Sequence, residues 1–197
     1  MKLYYSPTSP YVRKVMACAI IRGLDGRIEK HATNPHESPA DLVADNPLSK
    51  VPCLVTDDGM SLFGSQLICE YLDSLGDALP LFPEIGAVRW RALKFQSLGD
   101  GILDAAVPGR GELQKPKEAA RDALIARYKT VIRRTVDVLE ADPPHRHVDI
   151  GSITVACALG YLDFRYADEP WRPGHAKLAA WYESFVRNKG IAETAPG

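Results

Sequence analysis

Ser6-Pro7-Thr8-Ser9-Pro10-Tyr11-Val12-Arg13-Lys14 follows directly on Lys2-Leu3-Tyr4-Tyr5, a short strand, and marks a strand-to-helix junction at the start of the chain. Pro10 sits at the first turn, and Val12, Val15, Met16, Ala19 and Ile20 recur at spacings of three and four. With Gly23 as a stop, this predicts a helix from Pro10 to about Ile21. The N-terminus of a helix exposes unpaired N–H groups and a partial positive charge, so it stabilises an anion placed there. Two hydroxyls, Thr8 and Ser9, stand at this junction. Ser9 reads as a helix cap, a ligand contact or both, capping being the commoner use of a serine before proline.

Outward from the junction, strand-like and helix-like segments alternate through residue 77, which implies an α/β domain. A second strand is expected over Arg27–Ala32, then loop with at most a turn of helix from Asn34-Pro35 to Asn46-Pro47. Cys53–Thr56 and Met60–Leu62 flank Asp57-Asp58-Gly59, a hairpin pattern. A helix from Ser65 to about Leu75 is expected to bury Leu67, Ile68, Tyr71, Leu72 and Leu75, with Gly76 as its stop. Residues 78–86, rich in proline, read as a linker. Residues 87–197 read as all helical, with helices expected near Ile85–Ala106, Lys117–Leu139, Asp149–Phe164 and Ala176–Arg187. Leu124, Tyr128, Val131, Ile132, Thr135 and Leu139 are expected on one buried face, and Asp149 as an N-cap with Ser152 three residues on.

Composition narrows the function classes. The 197 residues are 46% hydrophobic, and 24 basic against 25 acidic side chains leave a net charge of −1, so nothing draws the chain to nucleic acid or an anionic membrane. No apolar run approaches the roughly 20 residues of a membrane span, and the N-terminus lacks the apolar core of a signal peptide, so a cytoplasmic location is expected. Cys18, Cys53, Cys69 and Cys157 lie far apart without metal-site spacing and read as buried thiols outside any disulfide. His145-Arg146-His147 beside two prolines lacks companion ligands, so no metal is expected.

Ser9-Pro10-Tyr11-Val12 resembles the Cys-Pro-Tyr-Cys of glutaredoxins with both cysteines replaced, and Ser-Pro-Tyr-x-Arg-Lys is similar to the opening of many bacterial glutathione S-transferases. Three further matches follow in that family's order. Asn46-Pro47-Leu48-Ser49-Lys50-Val51-Pro52 resembles its Asn-Pro-x-x-x-Val-Pro, Phe63-Gly64-Ser65-Gln66-Leu67-Ile68-Cys69-Glu70-Tyr71-Leu72 its acidic-Ser-x-x-Ile-x-x-Tyr-Leu, and Asp149-Ile150-Gly151-Ser152-Ile153 its helical-domain capping segment, with Ser152 in place of Asp. The resemblance spans nearly the whole chain. It implies a thioredoxin-like glutathione-binding domain followed by a helical domain that completes a site for an electrophile.

The resemblance also implies roles. Ser9, with Thr8 as rival, would donate to the sulfur of glutathione. Val51, before a cis Pro52, would pair its backbone with the cysteinyl amide, Ser65 would hold the γ-glutamyl carboxylate, and Lys50 could pair with a ligand carboxylate. Gly64 departs from the acidic residue that usually meets the ligand's α-amino group. The second substrate would lie between the domains, with Tyr11, Leu103, Val107, Arg110, Tyr161 and Arg165 as candidates. A homodimer is expected, the Ser65 helix against the helix around Trp90–Ser97 of its partner, with detoxification as the physiological role. Two alternatives stay open: a glutathione-dependent disulfide reductase, in which Cys53 takes part if exposed, and a non-catalytic interaction module of the same fold.

Overall fold

The computed structural model describes residues 1–196. Four strands, β1 (Lys2–Tyr5), β2 (Glu29–Ala32), β3 (Cys53–Val55) and β4 (Ser61–Phe63), form one sheet in the order β2-β1-β3-β4. β2 runs parallel to β1, whereas β3 is antiparallel to both β1 and β4. The apolar residues Leu3, Tyr4, Cys53 and Leu54 are fully buried at the sheet centre. β2, all of whose residues are exposed, is a short edge strand carrying Glu29, Lys30 and His31, a composition that discourages edge-to-edge pairing. Arg27, expected in that strand, instead closes a 3-10 turn over Asp25–Arg27.

Helix α1 (Pro10–Ile21) begins at Ser9, with proline in its first turn. Arg22, at its end, is buried and donates to the Asp73, Leu75 and Gly76 carbonyls at 3.0, 2.8 and 3.3 Å and to that of Ala78. Those carbonyls close helix α3 (Ser65–Asp73), so a guanidinium satisfies the electronegative end of that helix. Asp73 accepts from the Leu81 and Phe82 N–H groups at 2.7 and 2.9 Å. Both of those residues are buried, so part of the stretch expected as linker is pinned to the first unit. Between β2 and β3 the chain forms a 3-10 turn over Pro35–Glu37 and one short α-helix, α2 (Ala40–Asp45), where loop with a turn of helix was expected.

Leu67, expected in the core face of α3, is instead half exposed. The buried stripe is Ser65, Ile68, Cys69 and Leu72, spaced by three, one and three, and Leu67 lies off it.

The remaining helices are α4 (Gly86–Leu113), α5 (Ala119–Ala141), α6 (Ile150–Arg165), α7 (Ala176–Phe185) and α8 (Lys189–Ala192). α4 runs seven residues beyond the expected end at Ala106 and passes through Pro108, which has no N–H to give the turn before it. In α5 the buried positions are Arg121, Ile125, Val136 and Leu139, with the expected Leu124, Tyr128, Val131, Ile132 and Thr135 flanking them half-buried. α6 is buried without interruption from Ile150 to Leu162, the mark of a helix surrounded on all sides. Its start is a closed capping box: Ser152 N–H donates to Asp149 Oδ1 at 2.8 Å and Asp149 N–H to Ser152 Oγ at 2.9 Å. α4 approaches it at glycines, since a Cβ at Gly151 would stand 2.4 Å from the Ala92 carbonyl oxygen and one at Gly99 2.8 Å from Thr154.

Two compact units result: one of Met1–Pro83 together with the chain from Asn188, and one of Glu84–Arg187. The tail thus belongs with the first unit, where Arg13 Nη2 donates to the Ile191 carbonyl at 3.2 Å. No described helix is long and apolar enough to cross a membrane.

Candidate functional site

Ser9 is held by its own backbone. Its N–H donates to the Ser6 carbonyl at 3.2 Å, and its carbonyl accepts from Arg13 N–H at 3.0 Å. Its Oγ accepts from Val12 N–H at 3.3 Å, the capping bond that sequence alone suggested. That bond uses a lone pair and leaves the hydroxyl proton without an acceptor among the described residues. Thr8, the rival donor, is exposed and forms no side-chain hydrogen bond within the described chain.

Val51-Pro52 is a cis peptide bond. The loop before it is locked by Asn46, whose buried side chain donates to the Lys50 carbonyl at 2.8 Å and accepts from Leu48 N–H at 3.0 Å. Outside the sheet, no hydrogen bond from a described residue reaches the Val51 N–H or C=O. Lys50 is exposed, with no ion-pair partner among the described residues.

Gly64 precedes α3 with φ +86°, a backbone conformation that costs an L side chain about 1–2 kcal/mol, so glycine relieves strain where it forgoes a carboxylate. Ser65, the first residue of α3, is largely buried, yet its hydroxyl bonds to no described residue. A hydroxyl and a backbone N–H therefore stand together at the positive end of this helix.

Strand direction brings these three places together. Tyr4, Cys53 and Phe63 are in register, so the end of β1, the start of β3 and the end of β4 share one end of the sheet. Ser9 follows the first, Val51 precedes the second and Ser65 follows the third. Adjacent strands lie about 4.8 Å apart, so this row spans roughly 10 Å. An extended tripeptide, at ~3.3 Å per residue, has that length.

Two features of this end were not read from the sequence. Arg13, one turn into α1 from Ser9, is only 8% exposed, and beyond its single bond to Ile191 its Nε and Nη1 have no hydrogen-bond partner among the described residues. A buried guanidinium so sparsely paired reinforces the positive potential of the α1 N-terminus. Cys53, the alternative redox group, is fully buried in β3, as its apolar surroundings led one to expect, and burial pushes its thiol up to about 11, so the exposure that a redox role required is absent.

The candidates for a second substrate divide between the units. Tyr11 is half-buried on α1. Leu103 is fully buried in the core of the helical unit and has no surface to offer a ligand. Val107 and Arg110 on α4 and Arg165 on α6 are half-buried, and Tyr161 on α6 is buried. Among the described residues no group of three or more His, Cys, Asp or Glu is placed to hold a metal ion. A cleft of about 510 Å³ opens at the other end of the sheet, among Lys2, Arg27, Glu29, Val55 and Asp57, away from the Ser9 row. Its Asp57 carboxylate is already paired with Arg27 at 2.9 Å.

A mixed four-stranded sheet with a serine-capped helix start at one end, followed by a helical unit, defines the class of thioredoxin-like domains that carry an all-α partner. The chain belongs to the glutathione S-transferase family. Residues 8–75 match the family model of the glutathione S-transferase N-terminal domain, and residues 122–184 that of the C-terminal domain. An uncharacterized GST-like protein of Escherichia coli K12, YibF, is 31% identical over 201 residues, covering 100% of this chain and 98% of the relative. A glutathione transferase family member of Pseudomonas fluorescens Pf-5, solved with bound glutathione, is 40% identical with a TM-score of 0.93, covering 100% and 98% of the two chains. A glutathione S-transferase of Methylobacillus flagellatus KT, solved with glutathione bound, is 29% identical with a TM-score of 0.89, covering 100% and 99%.

Proposed function

We propose that this protein is a glutathione transferase that binds glutathione along the Ser9–Val51–Ser65 end of the sheet and activates its thiol for attack on an electrophilic small molecule. The observation that carries the reading is the row itself: a Ser9 hydroxyl proton, a Val51 backbone and a Ser65 hydroxyl that no described residue engages, in strand order, over the length of a tripeptide. The γ-glutamyl carboxylate meets the Ser65 hydroxyl and the start of α3, the cysteinyl amide pairs with Val51 before Pro52, and the sulfur lies at Ser9. Lys50 stands beside this row as a second cation for a ligand carboxylate. Relatives solved with bound glutathione support the same ligand.

The Ser9 hydroxyl proton, having no acceptor among the described residues, is donated to the sulfur, while the α1 N-terminus and Arg13 add favourable potential. An ordinary thiol with pKa ~8.5 is mostly protonated at neutral pH. Lowering it by about two units requires roughly 2.7 kcal/mol of preference for the thiolate, within reach of one charge-assisted bond and a helix terminus. The thiol proton leaves to solvent. The sulfur lone pair then forms the new S–C bond as a leaving group departs or a conjugated double bond takes up the electrons. The buried Cys53 thiol weighs against protein-thiol redox chemistry. We further propose a cytoplasmic location and a detoxifying role.

A calorimetric titration with glutathione in two buffers of different ionisation enthalpy tests this. Binding near pH 7 is expected to release about 0.7 proton if the thiol pKa falls by two units. Absence of binding up to millimolar glutathione would sink the reading in favour of an interaction module.

A further inference from the structure

Among the described residues, two that are not glycine have a positive φ, Ser38 at 47° and Ser49 at 48°. A Cβ makes that left-handed backbone unfavourable, and glycine fills the other positive-φ positions. The two strained serines are bonded to each other. Ser49 Oγ lies 3.0 Å from Ser38 Oγ and 3.0 Å from the Pro35 carbonyl oxygen. A hydroxyl has one proton to give and two lone pairs to accept with, so one proton from each serine makes both bonds.

This pair ties together segments that leave different strands. Ala32, the last residue of β2, is in register with Tyr5, and Cys53, the first of β3, with Tyr4, so the two strands flank β1 on opposite sides. Two strand spacings, about 10 Å, separate them. The Pro35–Glu37 turn follows β2 and Ser49 precedes β3, so the hydroxyl bonds bridge that gap at the end of the sheet where Ser9 and Val51 lie. Ser49 N–H donates to the Asn46 carbonyl at 2.9 Å, and the buried Asn46 side chain donates to the Lys50 carbonyl at 2.8 Å. The chain entering Val51 is thereby held from within its own turn by Asn46 and from outside it by Pro35 and Ser38. Ser38 is exposed and Ser49 half-buried, so neither is kept for apolar burial. Glycine would relieve the strain at both positions; what it lacks is the hydroxyl.

We propose that Ser49 is a positioning residue for glutathione, its hydroxyl fixing the Lys50–Val51 backbone so that Val51 meets the cysteinyl amide already ordered. This deepens the reading of the chain as a glutathione transferase and rests on it. Main-chain pairing with an extended ligand is sensitive to the freedom of the pairing segment, because a mobile segment must be immobilised as the ligand binds.

Ser49→Gly and Ser49→Ala remove the same hydroxyl but differ in strain, which glycine relieves and alanine keeps. Titrated calorimetrically with glutathione, both variants of the whole protein are expected to bind about 3- to 10-fold more weakly than the parent, the increment of one neutral hydrogen bond. Their urea midpoints should part, that of Ser49→Gly staying close to the parent's and that of Ser49→Ala falling. Ser38→Gly, which removes the partner hydroxyl from an exposed position, should weaken binding in the same direction. The proton released per glutathione at saturation should hold steady in all three, because Ser9 and the start of α1 are untouched. Parental affinity in both Ser49 variants overturns the inference. So does an affinity that follows the urea midpoint, weak in Ser49→Ala and restored in Ser49→Gly, since Ser49 is then purely structural. A proton count that falls with the affinity places the damage at Ser9 and overturns it too. In each of these cases glutathione binding by the parent stands; if the parent itself does not bind glutathione, the transferase reading fails and takes this inference with it.

Discussion

At Ser9 the observed cap and the proposed thiolate contact do not compete, because its oxygen accepts from Val12 N–H while its proton has no acceptor among the described residues. The cap is therefore compatible with the proposed role as thiolate donor, the third of the uses that the sequence left open for Ser9. Ser9→Ala is expected to lower turnover on the order of 10- to 1000-fold, as loss of one anion-stabilising donor does. Its accompanying loss of helix stability should be only about 1 kcal/mol, so urea titration separates the two effects. Thr8→Ala should leave turnover within a few-fold; if it alone abolished activity, the donor would be Thr8. Cysteine chemistry is expected to be silent. All of Cys18, Cys53, Cys69 and Cys157 are buried, and the Cys53 thiol is pushed up to about 11, so a disulfide reagent added to the native protein should label none of them rapidly. Fast labelling with loss of activity would restore the redox alternative.

At the scale of elements, helix termini carry both the chemistry and much of the scaffold. The starts of α1 and α3 stand at the row proposed to hold glutathione, whereas the start of α6 is sealed by Asp149 and Ser152. Asp149→Ala should cost about 1–2 kcal/mol by removing a reciprocal cap, measured as a lowered urea midpoint. Gly151→Ala should cost about 1–3 kcal/mol, because its Cβ would meet the Ala92 carbonyl oxygen at 2.4 Å and the facing backbone cannot yield cheaply. A variant as stable as the parent would mean that α4 and α6 slide past one another freely. The tie between α5 and the start of α7, from Asp137 to His175, is expected to depend on pH. Burial opposes a charge on His175, but its bonds to Asp137 at 2.9 Å and to the Trp171 carbonyl at 2.6 Å outweigh that, and its pKa is raised. A raised pKa means that the protonated form stabilises the fold fully below the ordinary histidine value of about 6.5. That contribution is lost as pH rises through the higher folded value. The urea midpoint should therefore decline above pH 6.5 in the parent and do so less in Asp137→Asn.

At the scale of the whole molecule, each unit leaves apolar side chains uncovered. Leu67 on α3 is 50% exposed and Trp90 on α4 68% exposed, with Met60 and Val88 nearby in sequence. We propose that a second copy covers them, in line with the homodimer expected from the family resemblance. Sedimentation should then give about twice the 21.6 kDa of one chain, and Trp90→Glu should shift it toward the monomer. A monomer at every concentration would remove the dimer from the account.

The sequence by itself determined what local chemistry controls. Strand-to-helix spacing, proline and glycine punctuation and helical periodicity act within a few residues, so β1, α1 and the succession of helices were legible, as were Ser9, Val51-Pro52 and Ser65 as site residues of the proposed function. Tertiary structure decided what depends on distant neighbours. The side of α3 that faces inward left Leu67 outside, and the last carbonyls of α4 beyond Pro108, at Glu112 and Leu113, are met by the Arg121 guanidinium of α5. The burial of Arg13 depends on the docked tail at Ile191, 178 residues away. The bond from the Tyr166 hydroxyl to the Ala106 carbonyl depends on how two helices align, because burial and proximity are properties of the packed chain and periodicity records neither.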